Sequence, residues 1–237
     1  MAPGSVGATL YAIYKTAAIT LPTVADALTG RLTVERADRR LSDWSSNIVR
    51  HADVDLTVEG LAHVPRDRAC VYMSNHQSHL DIPILYSVFP GTLRMVAKAE
   101  LFKVPFWGRA MKEAGFVRVT RSGDRAEAVA AMQECAAAIR RGVNVWIAPE
   151  GTRSVDGRIA KFKKGGFILA RDTAADIIPV AIDGSRDILP KNTRVIQRGA
   201  RVRVSFGAPI AVGDRELNAV IGDVRQFIVA HVTEPTE

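Results

Sequence analysis

Cysteine is nearly absent, and the two present, Cys70 and Cys135, sit in apolar surroundings with no motif around them. That argues against a disulfide framework and for a reduced compartment. Histidine is scarce as well, at five in 237 residues. Only His76, His79 and Asp81 lie close enough to suggest chelation, and His51, His63 and His231 stand in no ligand-spaced cluster, so no metal is expected. No apolar run suits a spanning helix: residues 6–28 are broken by Lys15, Pro22 and Asp26, where about 20 uninterrupted apolar residues are wanted. The start shows no basic stretch leading into a clean apolar core and a small-residue cleavage site, so a cytosolic side is expected. There is no G-x-S-x-G elbow of the lipase and esterase kind. RNA-binding aromatic motifs, zinc fingers, an arginine-rich tail, repeats and low-complexity segments are all missing.

What is present is apolar and basic. With 47% hydrophobic residues the chain can bury one sizeable core. A net charge of +7 points to an anionic partner: nucleic acid, a lipid surface or a phosphorylated substrate. Arg31, Arg36, Arg39 and Arg40 directly follow the apolar stretch 6–28, which favours anionic lipid over nucleic acid. Tyr11 and Tyr14 suit headgroup level, so residues 6–28 read as a helix lying in the membrane interface, with an ordinary packing helix as the alternative. Leu41, Trp44 and Ile48 give residues 35–50 the spacing of a second amphipathic helix. The expected division is a membrane-associating helical segment over residues 1–50 and one domain over 51–237.

From residue 53 onward, strand-like and helix-like stretches alternate. Strands are expected at 53–58, 69–73, 93–97, 116–120, 143–148, 177–182 and 201–206. Helices are expected at 79–89, 102–114, 124–140 (opened by Asp124 and Glu127), 163–172 and 214–232. This alternation predicts an α/β fold with a largely parallel central sheet covered by helices. Ligands in such sheets bind beyond the carboxyl ends of strands. Polar loops follow apolar runs at 74–81, 118–125 and 149–154.

The first of these loops carries the strongest signal. On one straight helix His76 and Asp81 would point about 140° apart, so they meet only if the chain turns between them. Ser78 and Asp81 form an S-x-x-D capping pattern that supplies such a turn. A carboxylate on one ring nitrogen would fix the imidazole tautomer and leave the other nitrogen to take a proton. A plain helix cap with a polar neighbour is the alternative. In the 149–154 loop, Gly151 permits close backbone approach and Arg153 offers a fork for phosphate. Glu150 could hold either that arginine or the loop, and a tight turn with a surface ion pair is the other reading.

Taken together, Asn75-His76-x-x-x-x-Asp81 and Pro149-Glu150-Gly151-Thr152-Arg153-Ser154 resemble the glycerolipid acyltransferase family, specifically its 1-acylglycerol-3-phosphate acyltransferases. The segments between and after agree: Lys98-x-Glu100-Leu101 with Pro105 and Gly108, Gly115 through Arg121, Phe162-Lys163-x-Gly165, and Ile178 to Ile182. The resemblance implies the glycerolipid acyltransferase fold. It also implies acyl transfer from acyl-CoA or acyl carrier protein, as co-substrate, to the hydroxyl of lysophosphatidic acid, with no cofactor. His76 would be the general base, oriented by Asp81. Lys98, Arg121 and Arg153 would hold the acceptor phosphate, with Asn75, Ser78, Glu150, Gly151 and Thr152 completing the substrate site. Arg118 departs from the apolar residue usual at its position. Leu101, Phe102, Val104, Phe106 and Trp107 would suit an acyl channel, a membrane edge or simple core packing. The implied location is the cell membrane, peripheral or monotopic, on the cytoplasmic side, in contact with anionic lipid. Glycerol 3-phosphate or another lysophospholipid is the alternative acceptor, and a catalytically silent lipid-binding protein the alternative of another class.

Overall fold

A computed structural model describes residues 4–119 and 125–233, the side chains of Lys98, Val119, Arg125, Glu127 and Ala128 excepted. The sheet is built from β2 (Asp55–Glu59), β3 (Val71–Ser74), β4 (Leu93–Lys98), β5 (Val117–Val119), β6 (Asn144–Ile147), β7 (Ile177–Asp183) and β9 (Arg201–Phe206). Their spatial order is β2-β9-β7-β3-β6-β4-β5. β3 to β7 run parallel, while β9 pairs antiparallel with β7 and carries β2 parallel to itself. A separate two-stranded ladder joins β1 (Gly4–Ser5) to β8 (Ile196–Gln197). Sequence patterning does not reveal such a short pair.

Strand periodicity divides the interior into two layers. Along β7, Ile178, Val180 and Ile182 join Tyr72 and Trp146 on one face, covered by Ile48 and Val49 of α2 (Val34–His51) and by Ile84 and Leu85 of α3 (Asp81–Val88). Ile177 and Ala181 join Val71, Met73 and Val145 on the other face. There they meet α6 (Arg125–Arg140), α7 (Gly165–Asp172) and α9 (Leu217–His231) through residues such as Cys135, Phe167, Val224 and Ile228. The expected N-terminal segment is thus not separate from the domain, because its α2 is one of the helices that cover the sheet.

α1 (Val6–Leu28) is left largely uncovered by the rest of the protein. Only Ala8 and Ala27 along its 23 residues are buried. Val6, Leu10, Ile13, Tyr14, Leu21 and Leu28 are exposed at helical spacing. Its threonines Thr9, Thr16, Thr20 and Thr23 each donate their hydroxyl to the carbonyl four residues back, which satisfies them without solvent. No helix among the described residues is long and apolar enough to cross a membrane. α1 and α2 close as a hairpin. Asp26 takes Arg36 at 2.9 Å and Arg40 at 2.6 Å, Trp44 Nε1 donates to Thr16, and Tyr11 stacks on His51. Arg36, followed by Arg40, holds the Asp26 carboxyl below its usual range. Of the four arginines expected to face lipid, Arg36 and Arg40 are therefore engaged within the protein, and Arg31 and Arg39 are the two left outward and exposed.

The expected helix 102–114 is two helices, α4 (Ala99–Phe102) and α5 (Trp107–Glu113). Pro105 lacks the donor a continuous helix needs, and Phe106 takes a positive φ of 63°, which no helix accommodates. The short α8 (Ser185–Ile188) was also not visible in the sequence pattern. Asp124, the expected opener of α6, and Thr120, the expected end of β5, lie outside the described residues.

Candidate active site

β3 is buried on both faces, and its carboxyl end opens directly into His76. The loop is held from several sides. The Asn75 side chain donates to the Ile182 carbonyl and accepts from the Ile182 amide, both at 2.8 Å, which pins the loop to β7. Ser74 donates its hydroxyl to the Asn75 carbonyl and accepts from Trp146 Nε1. Glu150 is buried and accepts the His76 amide at 3.0 Å with one oxygen and the Ala160 amide at 2.9 Å with the other. Burial raises the Glu150 pKa, against the two amide hydrogen bonds that lower it. The Ser154 amide donates to the His76 carbonyl at 2.8 Å, so the 149–154 loop lies directly against the histidine loop.

Within this frame His76 and Asp81 meet. Nδ1 of His76 lies 2.7 Å from Oδ2 of Asp81, and the histidine side chain keeps 19% exposure while the aspartate is fully buried. The same Oδ2 accepts the amides of Gln77 at 2.8 Å and Ser78 at 3.0 Å, whereas Oδ1 has no partner among the described residues. Two fixed backbone donors thus leave the carboxylate no freedom to turn, and the carboxylate holds the proton on Nδ1. Nε2 is left as the acceptor, with no protein hydrogen bond among the described residues. Trp146 stands edge-on to the imidazole with ring centroids 6.2 Å apart. Sequence reasoning passed over this tryptophan, since an aromatic inside an apolar strand reads as core.

The expected cap is only half formed. Asp81 reaches back to the Ser78 amide, but the Ser78 hydroxyl accepts from Leu80, not from residue 81, and donates to the Leu189 carbonyl. α3 consequently begins at Asp81, later than expected. Asn75, Ser78 and Glu150 were expected to line the substrate site. Their polar atoms are all engaged by the protein, so they hold the loops in place. Of the two tasks open to Glu150, it holds the loop and not Arg153.

Gly151 has φ 75°, and a Cβ there would stand 2.8 Å from Lys163 Nζ, so the glycine lets the lysine cross close over the loop. Thr152 is exposed. Arg153 lines a cleft of about 1100 Å³ between α1 and the domain, together with His79, Pro83, Leu189, Arg194 and the α1 residues Ile13 and Leu21. Lys98 ends β4 in register with Val119 of β5, so the carboxyl ends of both strands lie on the same edge of the sheet as His76. The Lys98 side chain and Arg121 lie outside the described residues. Arg118 is exposed and 3.8 Å from Glu134.

Residues 55–183 match the family model described as Acyltransferase, which is more than half of the chain. The chain belongs to the acyltransferase family. Its acyltransferase relatives include the chloroplastic 1-acyl-sn-glycerol-3-phosphate acyltransferase BAT2 of Brassica napus, 37% identical over 65% of this chain and 44% of the relative. The human 1-acyl-sn-glycerol-3-phosphate acyltransferase alpha is 36% identical over 64% of this chain and 54% of that protein. The chain spans about half the length of these curated relatives. The crystal structure of the LPA acyltransferase PlsC from Thermotoga maritima aligns over 94% of both chains, at a TM-score of 0.77 and 25% identity. The acyltransferase fold expected from the sequence is thus present.

Proposed function

We propose that this acyltransferase moves an acyl group from acyl-CoA or acyl carrier protein to the free hydroxyl of lysophosphatidic acid, giving phosphatidic acid. The observation that carries the reading is the 2.7 Å contact of His76 Nδ1 with Asp81, which leaves Nε2 open on the edge of the sheet beside the Arg153 loop. Nε2 takes the hydroxyl proton as the oxygen bonds to the thioester carbon. The tetrahedral intermediate then collapses by breaking the carbon–sulfur bond, and the departing thiolate takes the proton back from the imidazolium. Ester and thiol result, and no nucleophilic side chain is needed. The relatives named for lysophosphatidate acylation support this acceptor, as does a cleft lined both by apolar side chains such as Ile13, Leu21 and Leu189 and by the cations Arg153 and Arg194.

Thiol release tests the reading. The protein should turn over acyl-CoA with lysophosphatidic acid far faster than with glycerol 3-phosphate, and no release with any acceptor would leave a lipid-binding protein instead. The Arg153 side chain has no hydrogen bond or ion pair among the described residues, and its carbonyl, which accepts Lys191 Nζ at 2.7 Å, survives substitution, so Arg153→Ala should leave the melting temperature unchanged. It should raise the KM for lysophosphatidic acid about 10- to 100-fold, because a charge-assisted hydrogen bond contributes roughly 1.5 to 3 kcal/mol. An unchanged KM would remove Arg153 from the phosphate site.

The product carries two acyl chains, so continuous contact with a bilayer is expected, peripheral or monotopic and on the cytoplasmic face of the cell membrane. The exposed stripe of α1 is the contact proposed here. Leu10→Asp with Leu21→Asp touches only exposed positions and should abolish most sedimentation with liposomes while sparing the fold. Because Asp26 engages Arg36 and Arg40, only Arg31 and Arg39 of the four arginines that follow α1 remain outward, so most of the wild-type binding should resist salt. Binding that vanishes at moderate salt would show that the apolar stripe is not the anchor.

A further inference from the structure

The segment between α4 and α5 presents Phe106 at 63% exposure, Val104 at 47% and Leu101 at 43%, three large apolar side chains within six residues. Its backbone is tied, not loose. The Lys103 amide donates to Glu100, Val104 to Leu101, and Gly108 to Val104 at 2.9 Å. A Cβ at Gly108 would lie 1.9 Å from the Phe102 carbonyl oxygen, so the loop closes only because that residue is glycine. At the tip Phe106 has φ 63° and ψ −41°, and the Trp107 amide donates to the Pro105 carbonyl at 2.7 Å. This is the rare, strained form of γ-turn. Glycine would adopt it freely, whereas a bulky side chain there is strained. The fold therefore holds a strained backbone in order to point a phenylalanine into solvent, which core packing does not explain.

We infer that the 101–107 loop is a second membrane-contact element, inserting Leu101, Val104 and Phe106 into an anionic bilayer beside α1. Two observations select lipid as the occupant. First, α5 packs against α1, so the loop stands beside the helix with the exposed apolar stripe. Second, residues 101–112 contain Lys103, Arg109 and Lys112 and no acidic residue, and all three cations are exposed. Arg109 pairs with Glu113 at 2.7 Å, which leaves Lys103 and Lys112 to meet anionic headgroups. An apolar tip flanked by cations suits a bilayer surface better than a protein groove. The loop follows the carboxyl end of β4, on the edge of the sheet where His76 opens, so insertion there sets the catalytic edge against the bilayer.

The inference rests on the membrane-docked reading above, and the test separates the two. Cys70 and Cys135 are both buried, so in the full chain Val104→Cys labels alone with an environment-sensitive fluorophore. Vesicles of phosphatidylcholine with phosphatidylglycerol should shift its emission to the blue and shield it from an aqueous quencher, and phosphatidylcholine alone should do so less. Phe106→Gly removes side chain and strain together. It should weaken partitioning about three- to tenfold while the melting temperature holds or rises. A water-like emission on vesicles, or unchanged partitioning in Phe106→Gly, overturns the loop contact. If the Leu10→Asp, Leu21→Asp chain also binds normally, the α1 reading fails with it. If that chain alone loses binding, α1 is the sole anchor.

Discussion

His76→Ala should lower turnover of acyl-CoA with lysophosphatidic acid by about 10²- to 10⁴-fold, the usual contribution of a positioned general base, with the fold intact. The substitution leaves the backbone bonds of residue 76 to Glu150 and Ser154 in place, so thermal melting and acyl-donor binding should barely move. Asp81 makes a sharper test of the same machinery. Its Oδ2 faces three donors while Oδ1 faces none among the described residues, so Asp81→Asn can place its carbonyl oxygen toward the donors and its amide nitrogen on the unpartnered side. Orientation and tautomer then survive, while the charge is lost and a buried amide is left without an acceptor, so the variant should also melt somewhat lower. The expected deficit is about 10- to 100-fold, equivalent to a charge-assisted hydrogen bond becoming a neutral one. Asp81→Ala also strands the amides of Gln77 and Ser78, so it should be slower still and less stable. Near-normal rates in His76→Ala would end the general-base mechanism. A deficit in Asp81→Asn as deep as in His76→Ala would show that the charge does more than steady the imidazolium.

The fold was legible because its strands are apolar runs closed by polar loops, a signal carried by neighbouring residues. The expected strands 201–206 and 93–97 and the helix 6–28 differ from the observed elements by at most one residue. In the 102–114 segment Pro105 is a break signal that the sequence carries and the expected helix runs through, whereas the positive φ of Phe106 and the close approach of Gly108 to the Phe102 carbonyl are not written in the pattern. At the site, the pairing of His76 with Asp81 could be argued locally, from five residues and a turn. The tasks of Asn75 and Glu150 could not: their partners lie 107 and 74 residues away, and a side chain's direction is set by those distant strands. Polar residue types near a catalytic histidine look alike whether they face a substrate or brace a loop. The same holds for Arg36 and Arg40, whose charge the sequence shows but whose partner, Asp26, only the hairpin brings near.

Breaking the ion pair of Asp38 with Arg94 is expected to produce the largest stability loss. Arg94 lies on β4 at 1% exposure, and no other charged side chain of its size is fully buried among the described residues. Its Nη1 donates to Asp38 of α2 and to the Leu93 carbonyl, and its Nε donates to Ala114 just beyond α5. Asp38 also accepts the Thr92 hydroxyl at 2.6 Å. One guanidinium therefore joins the helical hairpin, the sheet and the end of α5. Asp38→Ala leaves that cation buried without a counter-charge, a change that typically costs about 3 to 5 kcal/mol. The lower figure applies, because Asp38 keeps 24% exposure and water can partly replace it. Against a total stability of about 5 to 15 kcal/mol this is severe, and a urea titration should show the midpoint fall. Asp38→Leu combined with Arg94→Met removes both charges and should recover much of the loss, since apolar replacement of a whole buried pair is often neutral. A single variant as stable as the wild type would mean that the pair is solvated. A double variant as unstable as the sum of its parts would mean that packing, and not the unpaired charge, carries the effect. Because Lys98 ends the strand that Arg94 anchors, Asp38→Ala should also raise the KM for lysophosphatidic acid at temperatures where the chain is still folded.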